Sequence, residues 1–445
     1  MAQYKKYNKY IFSGIDWLGD VPELWIKRKL TWIFGVIGSG TTPTTSNADY
    51  YDGDIPWLIT GDLNDGIINV TSKTVTDLAL AEFSALKLFP ENSLVMAMYG
   101  ATIGKLGLTK IKTTTNQACC VMANPINADL LYLFFWLLGN RKEIINLSQG
   151  GGQPNISQSI IRSLRLYCPP IEEQTMIAKF LDKKTSEIDS LIADKEKLIK
   201  LLEEQRLAII TEAVTKGLNP NVKMKDSGVE WIADIPNHWR IKKLKYVTNQ
   251  IIDGTHSTPN YQNEVIPVLR VTDITSSING EIDLESVKYI TPDEHKQLIR
   301  RCYPHKGDLL VSKNGTIGIP KVIDWDYDFS IFVSLCLIKT NETFTSSYYL
   351  KYFFESSLVD EQIAFGGKKN TITNLHLDKI KEFILFLPPN DEQQEIIEFL
   401  NTEMREIGDF ITQINKQIAL LNEYRQSLIF EAVTGKIDVR DSTVE

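Results

Sequence analysis

Apolar residues recur every seven positions in two widely separated stretches of the chain, and this pattern predicts its longest elements. Between 171 and 216, Ile188, Leu202 and Ile209 hold one phase, with Leu191 and Leu198 at intervening positions and Lys195 and Gln205 as interruptions. Between 390 and 435, Ile407, Ile414, Leu421 and Leu428 are seven apart, Phe410 and Tyr424 lie between them, and Gln417 interrupts. Neither stretch contains proline, and Gly217 follows the first where a helix C-cap is expected. A shared seven-residue period predicts that the two helices pack on each other as a coiled coil. The alternative is two amphipathic helices, each lying on its own domain. Antiparallel pairing is favoured because it lets a globular block sit at each end of the rod.

The rest of the chain reads differently. Short β-branched runs such as Ile55-Pro-Trp-Leu-Ile59 and Asp308-Leu-Leu-Val311 alternate with Gly, Asn and Asp turns, which predicts mixed blocks rich in short strands. These blocks are duplicates. Ser13-Gly-Ile-Asp-Trp-Leu-Gly-Asp-Val-Pro-Glu-Leu-Trp25 returns as Ser227-Gly-Val-Glu-Trp-Ile-Ala-Asp-Ile-Pro-Asn-His-Trp239, and eight of 18 positions are identical between 13–30 and 227–244. Glu173-Gln174 with Phe180-Leu181 returns as Glu392-Gln393 with Phe399-Leu400, and Glu212-Ala-Val-Thr215 as Glu431-Ala-Val-Thr434. A period above 200 residues is a duplicated domain, not a solenoid. The predicted organisation is a first block over 1–170, a long helix over 171–216, a second block over 217–389, a second long helix over 390–435, and a tail over 436–445.

Composition narrows the class. The 445 residues are 43% hydrophobic and 23% charged, which is ordinary for a globular chain of several domains. The five cysteines (119, 120, 168, 302, 336) form no C-x-x-C pair, so a disulfide scaffold is not expected and a reduced, cytoplasmic setting is. The longest apolar run, Leu130–Leu138, is nine residues, well short of the roughly 20 that span a bilayer, and no signal-peptide core follows Met1. The net charge of −8 argues against a nucleic-acid partner only until its distribution is read. Residues 1–170 carry +2 and 217–389 carry −1, while 390–445 carry −7. Near-neutral blocks can still present a basic face.

Motifs for catalysis fail one by one. Gly100-Ala-Thr-Ile-Gly104-Lys105 has one residue too few between its glycines for a P-loop, and Leu106 stands where Ser or Thr belongs. Its counterpart Gly315-Thr-Ile-Gly318 lacks the lysine. No Asn/Asp-Pro-Pro-aromatic methyltransferase tetrapeptide and no G-x-G-x-x-G turn appears. Asp283 with Glu294-x-Lys296 imitates a nuclease spacing in one block only. The histidines (238, 256, 295, 305, 376) lack metal-ligand spacing and are expected on the surface. The chain is expected to be non-catalytic.

What remains is polar loops on glycine supports. The first block offers Thr41, Thr42 and Thr44, Lys105, Gln153 and Asn155; the second offers Thr255, His256 and Ser257, Lys313 and Asn314, and Lys368, Lys369 and Asn370. Hydroxyls, amides and lysines in such loops suit phosphate contacts and base-edge hydrogen bonds. Solvated surface loops are the plain alternative.

The repeated leading segments Ser13–Trp25 and Ser227–Trp239, the Gly-Thr-Ile-Gly loop, the exits Pro169-Pro-Ile-Glu-Glu-Gln174 and Pro388-Pro-Asn-Asp-Glu-Gln393, and the Glu-Ala-Val-Thr helix ends together resemble the specificity subunits of type I restriction–modification enzymes. The resemblance covers essentially the whole chain. It implies an α+β protein with two similar globular α/β target-recognition domains, joined by two long helices that form an antiparallel coiled coil. It implies that each domain reads one half of a split site on double-stranded DNA. Two methyltransferase subunits would dock on the scaffold, with restriction (motor) subunits added. The resemblance further implies that S-adenosylmethionine, ATP and magnesium serve those partners and that this chain binds no cofactor. Ala101, inserted in the first loop, departs from the pattern. The helices also suggest a ruler: 25 residues from Ile188 to Glu212 span about 37 Å, close to the roughly 34–36 Å of a DNA turn. The competing expectation is a coiled-coil adaptor that bridges two proteins and never touches DNA.

Overall fold

Two helices of 46 and 44 residues, Ile171–Lys216 and Asn390–Val433, dominate the computed structural model, which describes residues 4–148, 154–229, 232–262, 265–276, 282–365 and 374–441. The chain divides into two compact units. The first is Met1–Lys195 with Lys416–Glu445; the second is Glu196–Asn415.

Each unit is built on one antiparallel ladder, and the two ladders correspond strand by strand. In the first unit the order is Phe34–Gly38, Cys119–Pro125, Ser93–Ala97, Leu106–Thr109, with Gly66–Ile68 added in parallel at the edge. In the second it is Thr248–Asp253, Leu335–Thr340, Leu309–Ser312, Pro320–Val322. The sheets carry the core. Leu94, Met96, Cys120 and Met122 are buried in the first, and Leu309, Val311, Cys336 and Ile338 in the second. A short helix covers each ladder: Leu130–Gly139, capped by the Asp129 carboxylate accepting from Tyr132 N at 2.9 Å, and Ser347–Glu355, capped by Ser346. The nine-residue apolar run is therefore a core helix, buried from Tyr132 to Gly139.

The repeated motifs hold each unit together. Trp25 Nε1 donates to Glu173 Oε1 at 3.0 Å in the first unit, and Trp239 Nε1 donates to Glu392 Oε1 at 3.1 Å in the second. Gln174 Nε2 donates to the Pro169 carbonyl at 2.8 Å, and Gln393 Nε2 to the Pro388 carbonyl at 3.0 Å. The Pro-Pro-x-x-Glu-Gln exits thus tie the first turn of each long helix back to the globular block. Acidic side chains in that turn also suit the positive end of the helix dipole.

The helices pair within each unit on the predicted seven-residue positions and on Tyr424, but three of the predicted intervening residues lie elsewhere. In the first unit Arg425 Nη2 donates to Asp189 Oδ2 at 3.1 Å and Lys195 Nζ to Gln417 Oε1 at 2.6 Å, so the segments run antiparallel. Ile188 and Leu428 are buried there, and Ile192, Leu421 and Tyr424 pack beside them. In the second unit Ile210, Ala213 and Val214 share a core with Ile396, Ile397 and Leu400. Ile407 and Ile414 are buried, while Leu202 and Ile209 are half-buried. Ile192, four positions after Ile188, packs on the first unit's core, and Ile199 and Ile411, four positions after Lys195 and Ile407, are half-buried. Leu191, Leu198 and Phe410, three positions after, are 44%, 46% and 60% exposed and lie off the seam. Alternating steps of four and three residues also fit a heptad, so the spacing left both phases open.

The predicted tail is not a tail. Ile437 and Val439 are buried in the first unit's core, Asp438 N donates to the Lys5 carbonyl at 2.8 Å, and Arg440 lies over the Tyr7 ring at 4.9 Å.

Candidate nucleic-acid interface

One close approach fixes the same loop in both units. A Cβ on Gly40 would stand 1.9 Å from the Thr115 carbonyl oxygen, and one on Gly254 would stand 2.0 Å from that of Ile331. Only glycine fits, so the strands Phe34–Gly38 and Thr248–Asp253 run into loops pressed on a neighbouring segment. The predicted polar residues follow these glycines, and the residues just before them are Ser39 and Asp253.

In the first unit this position is neutral. Gln158 Nε2 donates to Ser39 Oγ at 2.6 Å. Thr42 Oγ1 donates to Gln117 Oε1 at 2.7 Å, and the loop is held by Trp57 Nε1 on the Thr41 carbonyl (3.2 Å) and Tyr51 Oη on the Pro43 carbonyl (2.7 Å). Thr44 is exposed. Asn155 is exposed and bridges to Tyr99. Lys105 is exposed at the far end of its hairpin.

In the second unit the position is charged. Asp253 is 3% exposed. Its Oδ2 accepts from Lys313 Nζ at 2.7 Å and His256 Nε2 at 3.1 Å, and its Oδ1 from Arg301 Nη2 at 2.7 Å. Burial pushes the Asp253 carboxyl up, but hydrogen bonds and charge from Lys313 and His256 outweigh it and hold the group below its usual range. Thr255 Oγ1 meets Ser257 Oγ at 3.0 Å in the same loop. Lys313 was expected as an available DNA donor. It is instead 5% exposed and committed to Asp253, because an ammonium leaves water only for a paired site. Asn314 bridges to Asn374, the counterpart of the Tyr99–Asn155 bridge.

The Gly-Thr-Ile-Gly loops are hairpin ends. Ala97 N donates to Lys105 O at 2.9 Å and Ser312 N to Ile319 O at 3.0 Å. The loops between run over 98–104 and 313–318, so Ala101 is absorbed as one extra loop residue. The end glycines sit at φ +84° and +75° in the first, +70° and +84° in the second.

Gln153, Lys368, Lys369 and Asn370 lie outside the described residues. Sequence reasoning missed Ser39, Gln117, Gln158, Asp253 and Arg301. Asp253 opens the polar loop Asp253–Pro259, and Arg301 belongs to the Arg300-Arg301 pair, but nothing in the spacing joins the two across the fold. His295, expected on the surface, is buried against Ser330 Oγ at 2.9 Å. Asp283 caps its own turn through Glu285 N, while Glu294 accepts from Asn260 N; they do not form a nuclease pair. Among the described residues, no group of three or more His, Cys, Asp or Glu is placed to hold a metal, and no helix is long and apolar enough to cross a membrane.

Two similar α+β units, each tied to a long helix and each presenting polar loops of different chemistry from one scaffold position, define a duplicated recognition scaffold. The family described as the type I restriction modification DNA specificity domain matches twice, over residues 22–201 and 236–420, and the chain belongs to that family. It is 24% identical over 435 residues to the type I restriction enzyme MjaIX specificity subunit of Methanocaldococcus jannaschii, covering 95% of this chain and 96% of that one. It is 23% identical over 438 residues to the EcoKI specificity subunit of Escherichia coli K12, covering 94% and 90%. A chain from a solved type I restriction–modification system superposes with a TM-score of 0.70 at 15% identity, covering 93% of this chain and 98% of that one. The HsdS subunit from Thermoanaerobacter tengcongensis gives 0.51 at 16%, covering 94% and 98%. At these identities the structures speak for the fold alone.

Proposed function

We propose that this chain is the sequence-recognition subunit of a type I restriction–modification assembly. Each unit reads one half of a bipartite, asymmetric site on double-stranded DNA. The helical pair sets the spacer and docks two methyltransferase subunits, and restriction subunits join for cleavage. The chain itself performs no chemistry. S-adenosylmethionine, with ATP and magnesium for restriction, serves the partners in the cytoplasm. The observation that carries this reading is the contrast at one scaffold position: Ser39 with Gln158 in one unit, Asp253 with Lys313, His256 and Arg301 in the other. A duplicated scaffold whose equivalent loops differ in chemistry suits two different half-sites.

Off-seam apolar side chains support docking. Leu191 and Leu420 in the first unit, and Leu198, Leu201, Leu207 and Phe410 in the second, are exposed on the helices. Partner subunits that enclose the DNA would also supply phosphate neutralisation, which lets an acidic reader bind a polyanion.

The decisive experiment is sequencing of methylated positions in the source genome with and without this gene. Loss of methylation at one bipartite motif supports the reading. In parallel, the chain with its methyltransferase partner should bind duplex DNA with a steep salt dependence. Unchanged methylation with no duplex binding would favour the protein-bridging adaptor.

A further inference from the structure

Asp253 gathers more positive charge than it needs. Lys313, buried beside it, already neutralises the carboxylate at 2.7 Å. Arg301 adds a second full charge through Nη2, also at 2.7 Å, and its side chain is 54% exposed against 4% for that of Asp253. With its own side chain half in solvent, Arg301 is not needed to neutralise a carboxylate that the buried Lys313 already balances. Stability therefore does not account for Arg301.

Its donors do. A guanidinium has five N–H donors in a planar fork. Among the described residues, the Arg301 side chain donates to Asp253 Oδ1 alone. The carboxylate tethers one end of the fork at Nη2 and leaves the other donors for something outside the chain. They lie beside the loop that carries Thr255, His256 and Ser257. The cluster carries one net positive charge, so a phosphate suits it electrostatically; but a backbone contact is common to every sequence, whereas this group stands in one unit and is missing from the equivalent place in the other, as a base contact would be. The O6 and N7 of guanine carry no net charge and match a fork two donors wide, the commonest specific contact in the major groove. The first unit has no such group at this position: Ser39 replaces Asp253, and the buried Met98 occupies the place of Lys313 in the matching strand.

We propose that Arg301 reads a guanine in the half-site bound by the second unit, and that Asp253 is its positioning residue. The proposal rests on the DNA-reading function above.

The test uses the full chain assembled with its methyltransferase subunits and a library of random-sequence duplex DNA. Wild-type protein selects a bipartite site. Arg301→Ala and Arg301→Lys are both expected to lose preference for guanine at one position of one half by about 5- to 150-fold, with the other half unchanged. Arg301→Lys keeps the charge, and with it the ion pair and the salt slope, so misfolding is separated from lost readout. Asp253→Asn in the Lys313→Met background, which leaves no buried ammonium without its counter-charge, should weaken discrimination at that same position and no other; a purely structural role would weaken the whole half-site together. Retention of the guanine preference in both Arg301 variants overturns the proposal. So does uniform weakening in Arg301→Ala that Arg301→Lys restores, the signature of a phosphate contact. If wild-type protein selects no sequence, the DNA-reading function itself falls; if it selects a site the variants share, only this inference does.

Discussion

Trp25 and Glu173, 148 positions apart in sequence, meet through a hydrogen bond of 3.0 Å, and Tyr7 Oη donates to the same carboxylate oxygen at 2.8 Å. The pair fastens the leading segment of the first unit to the first turn of its long helix. Trp239 and Glu392 do the same in the second unit, where His238 Nε2 lies 2.7 Å from the other carboxylate oxygen. The repeated tryptophans and glutamates are thus two ends of one bond, which is why they recur together.

Glu173 is buried and receives two buried or half-buried donors, so Glu173→Ala should destabilise the first unit by about 2–5 kcal/mol, the cost of stranding both. Glu173→Gln keeps an acceptor oxygen and should lose less than half of that. Denaturant unfolding followed by tryptophan fluorescence reads the difference; equal losses in the two variants would show that charge, not hydrogen bonding, matters there.

Much of this architecture is visible in the sequence, and the reason is physical. Duplication preserves residues that make bonds inside each unit, so Trp25, Glu173 and Gln174 announce themselves by returning as Trp239, Glu392 and Gln393. The seven-residue period gave the long helices. It did not settle the seam, because Leu191 and Ile192 are both apolar and steps of three or four both satisfy a heptad. The candidate interface was harder still. Asp253, Arg301 and Lys313 come from three separate elements, and no local pattern encodes a meeting made by the ladder. Lys313 looked like a surface donor because its carboxylate partner lies 60 positions away.

The buried Asp253–Lys313 pair predicts strong non-additivity. Asp253→Ser alone leaves an unpaired buried ammonium and should cost about 3–5 kcal/mol. Lys313→Met should cost less, since Arg301 and His256 remain. The double variant installs the first unit's Ser39 and Met98 chemistry and should recover most of the loss. A coupling energy near zero in this cycle, measured by denaturant unfolding, would show that the two side chains do not depend on each other.

The same pair sets an acid limit. The folded-state pKa of Asp253 is held below the unfolded value, so its contribution is fully present above the ordinary carboxylate range. It is lost as pH falls through the folded value. The second unit should therefore lose stability below about pH 4, and Asp253→Asn should flatten that part of the curve. A wild-type acid profile in Asp253→Asn would assign the loss to other carboxylates.

The units should exchange independently. Residues 30–168 contain the first ladder and its polar loops. The anchors at Trp25 and Glu173 lie outside the segment, and strand Ile26–Lys29, also outside, still finds its partner Arg165–Cys168. Replacing 30–168 with the equivalent block of a relative should change one half of the methylated motif and leave the other intact. Altered sequence in both halves, read by methylation sequencing, would show that the units do not read separately.

The phase of the helical seam can be checked by paired substitutions. Ile192 packs against the first unit's core and Ile411 is half-buried in the second, whereas their neighbours Leu191 and Phe410 are exposed. Ile192→Ala and Ile411→Ala should each destabilise the isolated chain by about 1–3 kcal/mol, somewhat less than fully buried truncations because the sites are half-buried. Leu191→Ala and Phe410→Ala should leave its unfolding within about 0.5 kcal/mol of wild type. The second pair has a different expected effect. If those side chains serve docking, Leu191→Ala with Phe410→Ala should reduce co-purification of the methyltransferase subunits while the free chain stays folded. Destabilisation by the exposed pair and not by the isoleucines would put Leu191 and Phe410 back in the seam. Full co-purification with unchanged stability would leave the seam as described and move the docking surface elsewhere.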